Sequence, residues 1–248
     1  MIKLTLPERP IELTDEEECA LVDEYKRNKT PVWKKKYIVD KILEMSNYKC
    51  AFSEQKLNTE SAYAEVEHFK CKEKYIEEVV HWGNLLPICK KCNTSKGDWD
   101  VEQDHIVNPL VDDPKDYLYV KAFRFYKKNS IGENTIDAVS LNSREHFVSP
   151  RSKIGFEIAD SLDDNWDRLQ KADTKRQKVN VINRIKGILR NCGPENIYSA
   201  VLSTYVLYEI ETYNEIEEFL KKNDLWDEEL EDIKKNLLFC SLPAPSVK

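Results

Sequence analysis

The sequence predicts an α+β fold, mainly helical, with a short mixed segment set between helical flanks. Three observations carry that prediction. Helix-start signals open the chain, a period-two apolar pattern occupies residues 62–69, and an apolar stripe at helical spacing marks the C-terminal part. A length of 248 residues, with 41% hydrophobic and 33% charged residues, suits a globular protein with a real core and excludes a disordered chain. No apolar run reaches the roughly eighteen residues of a membrane span, and the N-terminal stretch lacks an apolar signal region. The chain is therefore expected to be cytoplasmic, with no membrane partner.

The elements follow in order. Leu4-Thr5-Leu6-Pro7 and Arg9-Pro10 form an extended, Pro-punctuated start that could lie against another surface. Thr14-Asp15-Glu16-Glu17 has the spacing of a capping box, so a helix is expected from there to about Arg27. Thr30-Pro31 is a second start, with Pro at the first helical position, and Trp33, Tyr37, Ile38, Lys41 and Ile42 extend it to about Met45. Residues 1–46 thus form an extended segment and a helical lead.

In the mixed segment, 47–130, residues 48–52 read as a short strand. Residues 62–69 alternate and place Ala64, Val66 and His68 on one face. A short helix is expected over 72–80, a turn at Trp82-Gly83-Asn84, and a further helix from Cys92 to about Val101. Strands are expected over 117–122 and 123–129, with a third around 135–141. Residues 131–248 are otherwise expected to be mainly helical. There Val179, Ile182, Ile185 and Leu189 make a stripe that stops at Gly193-Pro194, and two more helices cover about 195–221 and 225–239.

The net charge of −7 looks wrong for a nucleic-acid enzyme until its distribution is read. Residues 165–190 carry eight Lys/Arg against Asp167 and Asp173, a local +6, whereas 191–248 carry five Lys against twelve Asp/Glu, a local −7. A phosphate-facing surface beside a protein-facing one would suit that segregation, and solvated helix faces explain it equally. The seven cysteines are an odd number. Without a secretion signal, the close pair Cys89/Cys92 suggests metal rather than a disulfide. Cys19, Cys192 and Cys240 read as small core residues.

One constellation carries chemistry. Hydrolysing a phosphodiester needs a base for water, charge neutralisation at phosphorus and stabilisation of the leaving oxygen. Histidine suits the first task and a divalent cation the other two. Carboxylate and amide oxygens suit magnesium or manganese. Glu67-His68 and Asn93 supply that set, with Asn84-Leu85-Leu86-Pro87 and Cys89-Lys90-Lys91-Cys92-Asn93 between and around them.

These residues resemble the HNH endonucleases, whose ββα-metal fold presents a site from two strands and a helix. The resemblance covers roughly residues 47–110 and rests on four elements in order, with sixteen residues from His68 to Asn84 and nine from Asn84 to Asn93. It implies that 47–130 is an HNH nuclease module and that His68 is the general base. It further implies that Glu67 and Asn93 hold catalytic Mg²⁺ or Mn²⁺, while Asn84 braces the loop through its backbone. Lys90, Lys91 and Lys96 surround the helix start and are candidate contacts to substrate phosphate. His81 is near enough in sequence to touch substrate. His105, in Asp104-His105-Ile106-Val107-Asn108-Pro109, lies in the wrong order for the motif and reads as a strand or loop residue, and His146 has no role.

The same family commonly carries a structural zinc on two Cys-x-x-Cys pairs. Here the second pair is Cys89/Cys92, but the first reads Cys50-Ala51-Phe52-Ser53. Either Cys71 supplies a fourth ligand, or Zn²⁺ binds weakly, or the fold has lost it and Cys50, Cys89 and Cys92 are small buried residues. The layout further resembles those HNH proteins that accompany ABC-like ATPases in bacterial anti-phage systems of the Septu type and in some retrons. That resemblance implies an ATPase partner and a nucleic-acid substrate, DNA or RNA. The alternative is a non-catalytic interaction module on a degenerate HNH scaffold.

Overall fold

Capping side chains, those of Thr14, Asn129, Thr174 and Asp227, set where helices begin in the computed structural model, which describes residues 1–57 and 64–245. The chain divides into two units, one of Met1–Leu118 with Lys127–Leu141, the other of Tyr119–Tyr126 with Asn142–Lys248. Helices dominate, with two small two-stranded sheets.

In the first unit, Thr14 accepts from the Glu17 amide at 3.2 Å and starts α1, Asp15–Asn28, which ends at the left-handed Lys29. The helix expected from Thr30 to Met45 is interrupted. A 3₁₀ turn, Val32–Lys34, is followed by an extended Lys35 (ψ 134°), and only then comes α2, Lys36–Met45. Residues 48–52 are not a strand, because Asn47 and Tyr48 both take positive φ and leave a single bridge, Lys49 to Lys56.

The expected strand over 62–69 is β1, Ala64–His68; residues 62 and 63 lie outside the described residues. It pairs antiparallel with β2, Leu85–Cys89, setting His68 opposite Leu85 and Glu67 opposite Leu86. Residues 72–80 form only a 3₁₀ turn, Ile76–Glu78. The carbonyls of Glu78 and Val79 are engaged instead by the side chains of Asn84 and His68. α3, Lys90–Lys96, begins directly after β2 and stops at Gly97, whose φ of 52° and ψ of −125° an L-residue rarely adopts. Leu21, Tyr25, Ile38, Ile42, Val80 and Leu85 pack together as a core of this unit.

β3, Leu118–Lys121, and β4, Arg124–Lys127, are joined through Ala122 and Phe123, both left-handed as a tight hairpin turn requires. The strand expected around 135–141 is a helix, α4, Ser130–Ala138. Asn129 caps it by accepting from Gly132 N at 3.0 Å, and the buried Thr135 hydroxyl donates back to Ile131 O at 2.7 Å.

The second unit is helical. After a π-helical turn at Arg144–Val148 come α5, Ser149–Gln170, and α6, Lys175–Arg190, the latter opened by a Thr174/Gln177 capping box. Ile182, Ile185 and Leu189 are buried as their spacing predicts, but Val179 is exposed and Val181 takes the inner position. The helix expected over 195–221 is two, α7, Ser199–Glu209, and α8, Glu211–Lys222, broken at the extended Ile210. Asp227 then caps α9, Glu228–Cys240. α7 is buried over most of its length, from Ser199 to Leu207 save the half-buried Tyr205. Cys192 and Cys240 are buried, whereas Cys19 is exposed, contrary to its reading as a core residue. Among the described residues no helix is long and apolar enough to cross a membrane.

Candidate active site

β1 and α3 bring three of the predicted residues, Glu67, His68 and Asn93, to one cleft of about 260 Å³, which Glu65 and Trp33 also line, while Asn84, Lys90, Lys91 and Lys96 stand outside its lining. The sequence places them there simply. β2 runs into α3 without a loop, so the helix lies back against the strand paired with β2.

His68 is buried, and its Nε2 lies 2.9 Å from the carbonyl oxygen of Val79. The Trp33 ring stands edge-on to it at 4.5 Å. Burial pulls the imidazole down to about 4, against the Val79 carbonyl, which favours the charged ring. Glu67 is buried as well, with Lys96 Nζ 2.5 Å from its Oε1. Burial pushes this carboxyl up to about 7 despite the ammonium beside it. The same Lys96 donates to the His68 carbonyl at 3.1 Å. Lys96 is therefore an internal cation, held 2% exposed beneath the cleft. Lys90 is exposed and Lys91 half-buried.

Asn84 faces the loop between the strands. Its Oδ1 accepts from Lys70 N at 2.7 Å, and its Nδ2 donates to Glu78 O at 2.9 Å and Lys70 O at 3.2 Å. It thereby fixes the segment that carries Val79. Asn93 donates through Nδ2 to Glu65 Oε2 at 2.5 Å. Glu65 was missed in the sequence, although it shares strand parity with Glu67. Trp33 carried no local signal of its contact with His68.

The hard oxygen donors at the cleft, Glu67 and Asn93, suit magnesium or manganese, which need few protein ligands and keep several waters. Zinc fits less well. The sulfurs of Cys50, Cys89 and Cys92 lie within 4.8 Å of one another, the one such cluster of His, Cys, Asp and Glu donors among the described residues. The fourth corner is a hydroxyl, Ser53 Oγ, 3.6 Å from Cys89 Sγ. Cys71 is buried elsewhere and lines the His68 cleft. The set falls one thiolate or imidazole short of a closed site. Within it, burial alone would raise the Cys50 thiol, but bonds from Cys89, Cys92 and Ser53 hold it well below its ordinary value. The bond to Cys50 pushes Cys89 up to about 11, and burial raises Cys92.

The remaining histidines stand outside the cleft. His105 Nδ1 lies 2.7 Å from Val101 O in a loop, and His81 sits 3.4 Å from Glu18. His146 belongs to the π-helical turn. A larger groove of about 880 Å³ in the second unit is lined by Arg190, Asp227, Glu229 and Ile233, with no histidine or cysteine.

The chain is 35% identical over 244 residues to the Septu protein PtuB of Bacillus thuringiensis, covering 95% of this chain and 93% of that protein. It is 26% identical over 159 residues to a Septu protein PtuB of Bacillus mycoides strain KBAB4, covering 51% of this chain and 53% of that one. No family profile matches the chain, and no solved structure does.

Proposed function

The chain belongs to the Septu PtuB family, and from that premise we propose that it is a metal-dependent HNH endonuclease, the effector of a bacterial anti-phage system that works with an ATPase partner. The observation that carries this reading is the contact of His68 with Val79. A backbone carbonyl only accepts, so the neutral ring keeps its proton on Nε2 and its lone pair on Nδ1. Burial keeps the ring neutral down to about pH 4, so the base is ready throughout the physiological range. Nδ1 takes a proton from water as it attacks phosphorus.

Glu67 and Asn93 are the residues that would hold Mg²⁺ or Mn²⁺. When bound, such an ion supplies charge neutralisation at phosphorus and at the leaving oxygen. Asn84 acts on none of the reacting atoms. It holds the loop that orients His68. The exposed Lys90 and half-buried Lys91 suit contacts to substrate phosphates, and the products expected are 5′-phosphate and 3′-hydroxyl ends. Lys96, paired with Glu67, serves that carboxylate instead of substrate.

One observation favours a second reading, a non-catalytic interaction module on an HNH scaffold. Glu67 already has a cation in Lys96, as a site without metal would require. The two readings separate in one experiment. The chain is assayed on DNA and RNA with Mg²⁺ or Mn²⁺, with and without the ATPase, beside His68→Ala. The nuclease predicts cleavage that the folded variant loses. Equal activity in both proteins would sink the role of His68, and no cleavage in any arm would favour the scaffold.

A further inference from the structure

We propose that Glu65 is a positioning residue: it fixes the side-chain amide of Asn93 so that the oxygen, not the nitrogen, is presented to the cation. The inference rests on the reading of Asn93 as a metal ligand. An asparagine amide has nearly the same shape in its two flipped orientations, yet one offers an acceptor where the other offers donors. Only the acceptor binds a cation. Which orientation prevails is decided by the neighbours.

Here the neighbour is a carboxylate, 2.5 Å from Nδ2. An ionised carboxylate has acceptor oxygens alone, so turning Oδ1 toward it would set two oxygens against each other. Nδ2 is thus committed to Glu65, and Oδ1 is left to other partners. Glu65 reaches Asn93 because it shares a strand face with Glu67, two residues away, while α3 packs on β1. Both Glu65 and Asn93 line the cleft with His68. The half-buried Glu65 has no other role in the site as described.

The test is Mn²⁺ binding to the full chain without nucleic acid, followed by the EPR signal of the free ion, with cleavage measured in parallel. Glu65→Ala should weaken Mn²⁺ binding by about 10- to 100-fold, the usual cost of losing a partner behind a metal ligand. Glu65→Gln keeps an acceptor oxygen for Nδ2 and should recover most of that loss. In an Asn93→Asp background, where both ligand oxygens are equivalent, Glu65→Ala should cost little more.

Two results would overturn the proposal. One is equal damage from Glu65→Gln and Glu65→Ala, which would make Glu65 a ligand acting through its charge. The other is the same loss from Glu65→Ala in both backgrounds. Should Glu65→Ala not fold, Glu65→Met, which keeps the bulk of the side chain and removes its acceptors, takes its place in both comparisons. If Glu67→Gln leaves Mn²⁺ binding unchanged, the metal-site reading itself fails, and the proposal with it. If Glu67→Gln abolishes binding and Glu65→Ala does not, only the positioning fails.

Discussion

Replacing Asn84 by Ala removes the brace across the loop between β1 and β2, and the cost can be worked from its contacts. The side chain is 4% exposed and makes three hydrogen bonds, all to backbone: from Lys70 N, to Lys70 O and to Glu78 O. A buried bond contributes about 1 kcal/mol net, and more where its partner is left unsatisfied. Lys70 is half-buried, so water can reach its groups once the amide is gone, which keeps the sum near about 3 kcal/mol. Urea unfolding of the first unit reads this as a lower midpoint at constant slope. Hydrogen exchange adds a local signature, because the Lys70 amide, bonded to Oδ1 at 2.7 Å, should lose protection before the core does. Asn84→Asp keeps that one bond but turns a carboxylate oxygen on the Lys70 and Glu78 carbonyls, so it should cost at least as much as Asn84→Ala. A loss under about 1 kcal/mol in Asn84→Ala, with Lys70 protection intact, would refute the brace.

Three further outcomes are expected. His68 is held down from 6.5 to about 4, so burial of its neutral ring contributes stability above pH 6.5 that is lost as pH falls through about 4. At about 1.4 kcal/mol per unit, the difference in unfolding free energy between the wild type and His68→Asn should shrink by about 3 kcal/mol across that window; a pH-independent difference would refute the shift. Ser53→Cys supplies the missing thiolate, and the purified variant should retain one zinc through dialysis against a weak chelator that strips the wild type, as metal analysis would show. Gly132→Ala would put a Cβ 2.1 Å from the Tyr117 carbonyl oxygen and should destabilise strongly, whereas Gly187→Ala, with nothing within 4 Å, should raise helix stability by about 1 kcal/mol, both readable by thermal unfolding.

What the sequence made legible was what neighbours in the chain decide. Thr14 announces α1 because its cap is three residues away, and Glu67 to Asn93 could be read because their order and spacing survive in one dimension. Residues 135–141 misled because β-branched Thr135 and Val139 suggest a strand, while the cap at Asn129 and the close approach of Gly132 to Tyr117 select a helix. Lys96 suggested a phosphate contact because a lysine at a helix looks solvated until its burial against Glu67 is seen. Trp33 could not have been placed at all, since no periodicity links the helical lead to His68. Glu65 could have been found by applying to the odd positions of β1 the alternation read for the even ones.

The contacts that shape the cleft have short spans. His68 meets Val79 eleven residues on, Asn84 returns fourteen to Lys70, and Asn93 and Lys96 each reach back twenty-eight, to Glu65 and His68. Of those described, only the ring contact of Trp33 leaves residues 65–96. Closing such loops costs little entropy, and the cost does not grow with anything added before or after them. The cleft is in that sense a cassette. Segments added before Glu65 or after Lys96 stretch no loop that closes the site, and what the N-terminal flank must still supply is apolar cover: Trp33 on His68, and Ile38 and Ile42 in the core that holds Leu85.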